Sequence, residues 1–236
     1  MAEALIPLLS LIVLEVILGI DNIIFISILA DRLPDQQRKK LKFWGLTLAM
    51  LMRLLLLAFI AWILKLDTTL FSIGTTAFTG KGLILLTGGL FLLYKSTKEI
   101  YYQTEVAANP MASIPVKATF VQLLGEIVVL DLVFSVDSII TAVGMVQELW
   151  VMYAAVITAV AIMMIAAGPI SDFIRRHPSF KILALCFLLM IGVALLADGL
   201  GFHIPKEYIY FSLAFALIVD VIQLKTISKK TDPTAG

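Results

Sequence analysis

The chain has 236 residues, 61% of them apolar and 15% charged, and its mean hydropathy is +1.02. Soluble domains are about one quarter charged and just under half apolar, so the composition excludes an ordinary soluble domain. The 18 Lys and Arg residues balance 17 Asp and Glu residues, which leaves no basic surface for a nucleic acid. One cysteine excludes a disulfide framework, and two histidines add little to a site of soft metal ligands. The composition indicates a polytopic membrane protein.

Seven segments are long and apolar enough to cross a membrane, whose core of about 30 Å needs about 20 residues of helix. They lie near residues 5–30, 43–64, 80–98, 118–146, 149–170, 181–199 and 208–225. Gly168 and Pro169 are expected to end the fifth segment. The connections are too short to hold a soluble domain, so we expect an all-α fold with seven transmembrane helices.

Basic residues are concentrated on one side of these segments. Fourteen Lys and Arg residues lie in the loops after segments one, three and five and in the tail. The other side has Lys65, Lys81 and Lys206, while Arg53 lies inside segment two. Because loops rich in Lys and Arg stay in the cytoplasm, the N-terminus is predicted outside and the C-terminus inside. The expected location is the bacterial inner membrane.

Two acidic motifs repeat along the chain. Residues 14–24 (LEVILGIDNII) align without gaps with residues 130–140 (LDLVFSVDSII), and four of the eleven positions are identical. Each copy has an acid, five residues, a second acid and a small polar residue, and each opens a group of three helices. Since three is odd, the second copy enters the membrane from the opposite side, as in inverted-repeat transporters. We therefore predict a first repeat over residues 1–110, an inverted repeat over 111–204, and a seventh helix with a cytoplasmic tail over 205–236.

Five acidic residues are predicted inside the membrane, where each costs about 2.5–3.5 kcal/mol on insertion scales. Arg53 can offset the charge of one of these acids, or act as a structural counter-charge. The other acids must be protonated, face water or hold a cation. Oxygen ligands suit hard divalent ions such as Mg²⁺, Ca²⁺ and Mn²⁺. The candidate ligands are these acids and the two polar residues that follow the second acid of each motif: Glu15, Asp21, Asn22, Glu126, Asp131, Asp137 and Ser138.

The spacing within each motif raises a geometric question. Acids six residues apart lie about 120° apart around a regular helix, so a straight helix would not aim both at one ion. An unwound turn would do so and would free backbone carbonyls, and Gly19 permits such a break, with Ser135 a weaker signal in the second copy. Glu126 and Asp137, eleven residues apart, share a face of a regular helix.

Taken together, the two motifs resemble those of the TerC family of integral membrane proteins, which belongs to a wider group of seven-helix exporters that includes LysE-type transporters. The resemblance covers nearly the whole chain. It implies that Glu15, Asp21, Asp131 and Asp137 form the metal site; Asn22, Ser138 and Glu126 are added from their positions. It also implies a short form, because some members carry a cytoplasmic domain after the helices. The family's association with manganese export suggests Mn²⁺, whereas its link to tellurite resistance gives no chemical reason for an acidic site.

The expected function is export of a divalent cation by alternating access. The family resemblance suggests Mn²⁺ as the cation, and exchange for protons is a further hypothesis. No tightly bound cofactor and no enzyme activity are expected; the partners are the divalent ion and the lipid bilayer, and homo-oligomerisation is left open. One alternative is a non-transporting membrane partner that helps secreted proteins acquire metal. The other is an intramembrane aspartyl protease using Asp21 and Asp137, although Gly-x-Gly-Asp is absent from both motifs.

Overall fold

The computed structural model describes residues 2–73, 76–106, 118–146 and 148–230, which are almost entirely helical. These residues contain seven long helices and one single-turn helix, α3. The bounds are α1 Ala2–Ala30, α2 Asp35–Ala58, α3 Ile60–Ile63, α4 Gly80–Tyr101, α5 Phe120–Met145, α6 Leu149–Arg176, α7 Pro178–Gly199 and α8 Lys206–Lys230. A 3₁₀ turn at Leu64–Asp67 follows α3, and a π turn at Tyr102–Val106 follows α4.

Each predicted segment overlaps one long helix, so the all-α polytopic fold is confirmed. Five of these helices, namely α1, α2, α5, α6 and α7, are long and apolar enough to span a membrane within the described residues. Helix α4 carries Lys81, Lys95 and Lys98, which lower its hydropathy, and the apolar stretch of α8 is shorter, at Tyr208–Asp220. The predicted repeat boundary at residues 110–111 lies outside the described residues.

Three local details differ from the expectations. The second segment is divided at Phe59, where α2 ends. The prediction that Gly168 and Pro169 end the fifth segment is wrong, because α6 continues through Pro169 to Arg176. Proline is tolerated inside membrane helices, where neighbouring groups satisfy the freed carbonyl. A small hairpin, β1 at Thr69–Ile73 and β2 at Thr76–Thr79, was not anticipated.

Pairs of helices from the two predicted repeats pack closely on each other. Helix α1 lies along α6, α2 along α5 and α4 along α7, while α8 packs on α7. Gly82 and Gly89 of α4 face Gly199 and Gly192 of α7, and a Cβ atom at Gly89 would lie 2.8 Å from the carbonyl oxygen of Gly192. Gly82 and Gly89 are seven residues apart in α4, and Gly192 and Gly199 are seven residues apart in α7. A two-fold axis that matches α4 to α7 would exchange the two contacts, while the inverted repeat itself stays a prediction.

Helices α1 and α5 run without interruption through both acidic motifs. The hypothesis of an unwound turn at Gly19 and Ser135 is therefore wrong. Gly19 has a packing role instead, because a Cβ atom at this position would come within 2.0 Å of the Met163 sulfur on α6. The absence of a side chain lets α1 approach α6, and the backbone hydrogen bonds of the helix stay intact.

Candidate functional site

The first acid of each motif belongs to a buried ion-pair network. Arg53 of α2 is 2% exposed, and Glu15 and Asp131 are each 3% exposed. Arg53 Nη1 contacts Glu15 Oε2, while Nη2 and Nε donate to Asp131 Oδ1 at 2.9 and 3.3 Å. Arg53 thus contacts two acids, while its single positive charge balances only one of them. A guanidinium suits this position because its fork of donors can bind two carboxylates at once.

The small polar residue of each motif lies at the first acid of the other motif. Asn22 Nδ2 donates to Asp131 Oδ1 at 2.9 Å, and the Ser138 side chain lies beside the Glu15 carboxylate. Ser135 Oγ adds a hydrogen bond of 3.1 Å to Asp131 Oδ2. The geometry follows from a spacing of seven, since residues i and i+7 share a helix face. The two motifs therefore interlock in antiparallel fashion around Arg53.

The second acids, Asp21 and Asp137, point away from this network. Both line a small cavity of about 30 Å³, together with Leu18, Phe134 and residues of α7 and α8. Each second acid lies about 120° around its helix from the first acid of the same motif, as expected for residues six apart on an uninterrupted helix. Polar groups facing an internal space of this size can hold a water molecule or an ion of similar size. Asp21 is 4% exposed, so its carboxylate lies deep in the protein.

Asp137 also faces a much larger space at the hairpin end of the bundle. This vestibule has a volume of about 1010 Å³, and Ser138, Lys81, Asp67, Asp198 and His203 are among the residues that line it. Lys81 Nζ lies 3.5 Å from Asp137 Oδ1. Asp137 therefore occupies the boundary between the vestibule and the small cavity, where an ion entering from this end would meet it before Asp21.

Glu126 lies on the face of α5 that also carries Asp137, as predicted, but it is not joined to the Arg53 network in the described residues. Its Oε1 contacts Lys95 Nζ, and its Oε2 is buried with no hydrogen-bond partner among the described groups. Between the two acids, Val133 packs on Gly88 of α4. Two lysines of α4, Lys81 and Lys95, thus contact carboxylates of α5.

The two lysine contacts were missed by the sequence analysis, which assigned Lys81 and Lys95 to the loops that set the orientation. The signal was present, because Lys81, Gly88 and Lys95 are spaced by seven and form one stripe of α4. The sequence could not reveal that this stripe faces the acidic face of α5, since that depends on how the two helices pack.

The predicted metal ligands do not converge on one point in this conformation. In residues 2–73, 76–106, 118–146 and 148–230, no group of three or more His, Cys, Asp or Glu side chains is arranged to hold a metal ion. The seven predicted residues are divided among the Arg53 network, the small cavity and the Lys95 contact. The site therefore stays a prediction, and an ion bound by several of these carboxylates would require them to exchange their present partners.

The end of the bundle opposite the hairpin is closed by charged contacts. Arg32 contacts Glu99 of α4, and Lys181 Nζ of α7 lies 3.0 Å from Asp31 Oδ2. The consecutive residues Asp31 and Arg32 thus connect the turn after α1 to α7 and α4. One end of the bundle therefore has a large vestibule, and the other has ion pairs.

Comparison with known proteins gives one consistent result. The sequence pattern of the family described as "Integral membrane protein TerC family" matches residues 1–232. A UPF0053 protein of Haemophilus influenzae is 49% identical over 223 residues, which are 94% of both chains. The Escherichia coli K12 inner membrane protein YgdQ is 44% identical over 95% of this chain and 93% of its own.

A longer relative matches as well. The Escherichia coli K12 inner membrane protein YoaE is 48% identical over 91% of this chain, which corresponds to 41% of its own length. No solved structure matches the chain significantly. The motifs, the helical bundle and these similarities agree, and the chain belongs to the TerC family of integral membrane proteins.

Proposed function

We propose that the protein transports a hard divalent cation, Mn²⁺ in the first instance, across the bacterial inner membrane by alternating access. The observation that carries the proposal is the position of Asp21 and Asp137. These acids come from equivalent places in the two motifs and line one internal cavity, and Asp137 also faces the vestibule. Carboxylates at the inner end of a wide opening attract and desolvate a hard cation in stages.

The Arg53 network supports a separate role for the first acids. Glu15 and Asp131 share Arg53, whose single positive charge balances one of the two carboxylates in this conformation. We assign them to holding α1, α2 and α5 together at the centre of the bundle, with direct cation contact arising when the carrier changes conformation. The vestibule lies at the end predicted from the basic loops to be periplasmic, so in an exporter this conformation is the one from which the cation leaves.

Two finer features belong to the proposal. Mn²⁺ is preferred over Mg²⁺ and Ca²⁺ from the family resemblance, since oxygen ligands alone separate these ions poorly. Exchange for protons is suggested by five intramembrane acids, more than one divalent ion needs for charge balance. Transport that is insensitive to a pH gradient at fixed voltage would contradict the exchange.

The deciding experiment is Mn²⁺ flux into proteoliposomes, with Mg²⁺ and Ca²⁺ as competitors. Wild type is compared with Asp21→Asn and Asp137→Asn, and with Asp35→Asn as a matched control on an exposed acid. We expect flux to fall at least about a hundredfold in the two site variants, as for the loss of a buried charged ligand group, and to be unchanged in the control. Equal flux in all four proteins would contradict the proposal.

The same experiment separates the proposal from a non-transporting partner that helps secreted proteins acquire metal. Such a partner would bind Mn²⁺ through the same carboxylates but would give no flux in any of the four proteins. The orientation of the reconstituted protein is measured by labelling Asp35→Cys with a membrane-impermeable maleimide in a Cys186→Ser background, since Asp35 is exposed and Cys186 lies within a membrane span. A null result with wild type can then be separated from inverted insertion. Bound Mn²⁺ without flux would favour the partner.

A further inference from the structure

Helix α4 places a lysine on the carboxylate that faces the vestibule. Lys81 lies in the first turn of α4, and its Nζ is 3.5 Å from Asp137 Oδ1. Thr79 caps this helix by accepting a hydrogen bond from the Gly82 amide, which fixes the start of α4 next to the vestibule. Lys81 is therefore held near Asp137 by the helix, and its ammonium group occupies the place where a cation at Asp137 would bind.

The packing of α4 leaves little freedom for the backbone that carries Lys81. A Cβ atom at Gly82 would lie 2.9 Å from the carbonyl oxygen of Gly199, and one at Gly88 would lie 2.4 Å from Val133 Cγ1. Helix α4 thus packs closely on both α7 and α5. The lysine side chain can leave Asp137 by rotation into the vestibule, whose lining includes it, while the backbone stays in place.

We propose that Lys81 is a tethered counter-ion that competes with the transported divalent cation for Asp137. In the absence of the cation its ammonium group neutralises the carboxylate, and an arriving divalent ion displaces it. The higher charge and the oxygen preference of the divalent ion favour the exchange, whereas a monovalent ion gains no charge advantage over the ammonium group. Lys81 thereby sets the affinity and the valence preference of the vestibule end. The inference rests on the proposed function.

The test is Mn²⁺ binding to purified protein in lipid nanodiscs, measured from the free Mn²⁺ signal in electron paramagnetic resonance. Lys81→Gln removes the competitor, and Lys81→Arg keeps its charge. Lys98→Gln is the matched control, since Lys98 lies toward the other end of α4, where its Nζ donates to Tyr94 Oη. We expect Lys81→Gln to tighten the Kd for Mn²⁺ by about three- to tenfold, the range for loss of a partly exposed charge pair, and the other two to leave it unchanged.

A second pair of variants shows whether the effect passes through Asp137. Tightening by Lys81→Gln is expected to vanish when Asp137 is replaced by Asn, or by Ser where the Asn variant does not fold. Tightening that persists without Asp137, or an unchanged Kd in Lys81→Gln, would overturn the inference while the proposed function stands. Absence of Mn²⁺ binding in every variant would overturn both. Binding seen in Lys81→Gln and not in wild type would support the competition directly.

Discussion

Two nitrogen atoms of Arg53 converge on a single oxygen of Asp131, with Nη2 at 2.9 Å and Nε at 3.3 Å from Oδ1. The third donor group of the same guanidinium contacts Glu15 of the other motif. One basic side chain on α2 therefore joins α1 to α5 at the centre of the bundle. Because all three side chains are buried, the loss of Arg53 leaves two carboxylates without their cation in a place where water cannot solvate them.

The first prediction concerns this network. Arg53→Gln leaves two buried carboxylates without their cation, and we expect it to destabilise the protein by about 3–5 kcal/mol. The measurement is thermal unfolding in detergent, followed by intrinsic fluorescence. Arg175→Gln is the control, since Arg175 is half exposed and pairs with the equally exposed Asp172. A Tm for Arg53→Gln that matches the control would show that the network is not needed for the fold.

The second prediction concerns the seam between α4 and α7. A Cβ atom at Gly89 would lie 2.8 Å from backbone oxygen of Gly192, so Gly89→Ala must separate the two helices. We expect a loss of about 1–3 kcal/mol, as for other overpacked positions. Gly125→Ala is the matched control, because nothing lies within 4 Å of its Cβ position. Since alanine is the better helix former, the control is expected to be neutral or slightly stabilising. Equal effects in both variants would argue against a tight seam.

The third prediction tests the packing role of Gly19. Gly19→Ala brings a methyl group against Met163, and we expect it to lower the unfolding free energy. Met163→Ala opens space at the same point, so the cost of Gly19→Ala should shrink in that background, with a coupling of about 0.5–3 kcal/mol. A double-mutant cycle on thermal stability measures it. Additive effects would show that Gly19 and Met163 do not interact. The glycine would then matter for the backbone conformation of α1, which would favour the unwound turn.

The fourth prediction concerns the closed end. Glu99→Gln removes the carboxylate that holds Arg32. The resulting local opening should expose Ser96, which is fully buried and lies three residues before Glu99 on α4. With Ser96→Cys in a Cys186→Ser background, we expect a membrane-impermeable maleimide to react about fivefold faster, the size expected from about 1 kcal/mol of ion-pair stabilisation. Asp35→Asn, which breaks an exposed pair, is the control. Identical labelling rates in both variants would show that Arg32 and Glu99 do not hold this end closed.

The acid spacing illustrates how far the residues alone could lead. Glu15 and Asp21 were expected inside the membrane, and both are buried in α1. Their separation of about 120° around a helix was also readable from the spacing. The step from that angle to an unwound turn was wrong, because it assumed that both acids must bind one ion. The two acids instead face different surroundings, the Arg53 network and the small cavity.

The partners of the acids show where sequence reasoning ended. Arg53 could be identified as a counter-charge, but its double contact depends on α1, α2 and α5 meeting at one depth. Lys81 and Lys95 could be recognised as basic residues near the ends of a helix, and they were read as markers of orientation. Their contacts with Asp137 and Glu126 arise because α4 lies against α5 as well as α7.

By itself the sequence determined the class of the protein, the seven helices and the repeated acidic motifs. These features depend on local composition, since a run of about 20 apolar residues forms a helix in lipid whatever its neighbours are. The tertiary structure decided which carboxylates share Arg53, which face the vestibule and which are covered by lysines. Such pairings are set by the rotation and depth of helices that are far apart in the chain, and close packing of glycines and side chains fixes both.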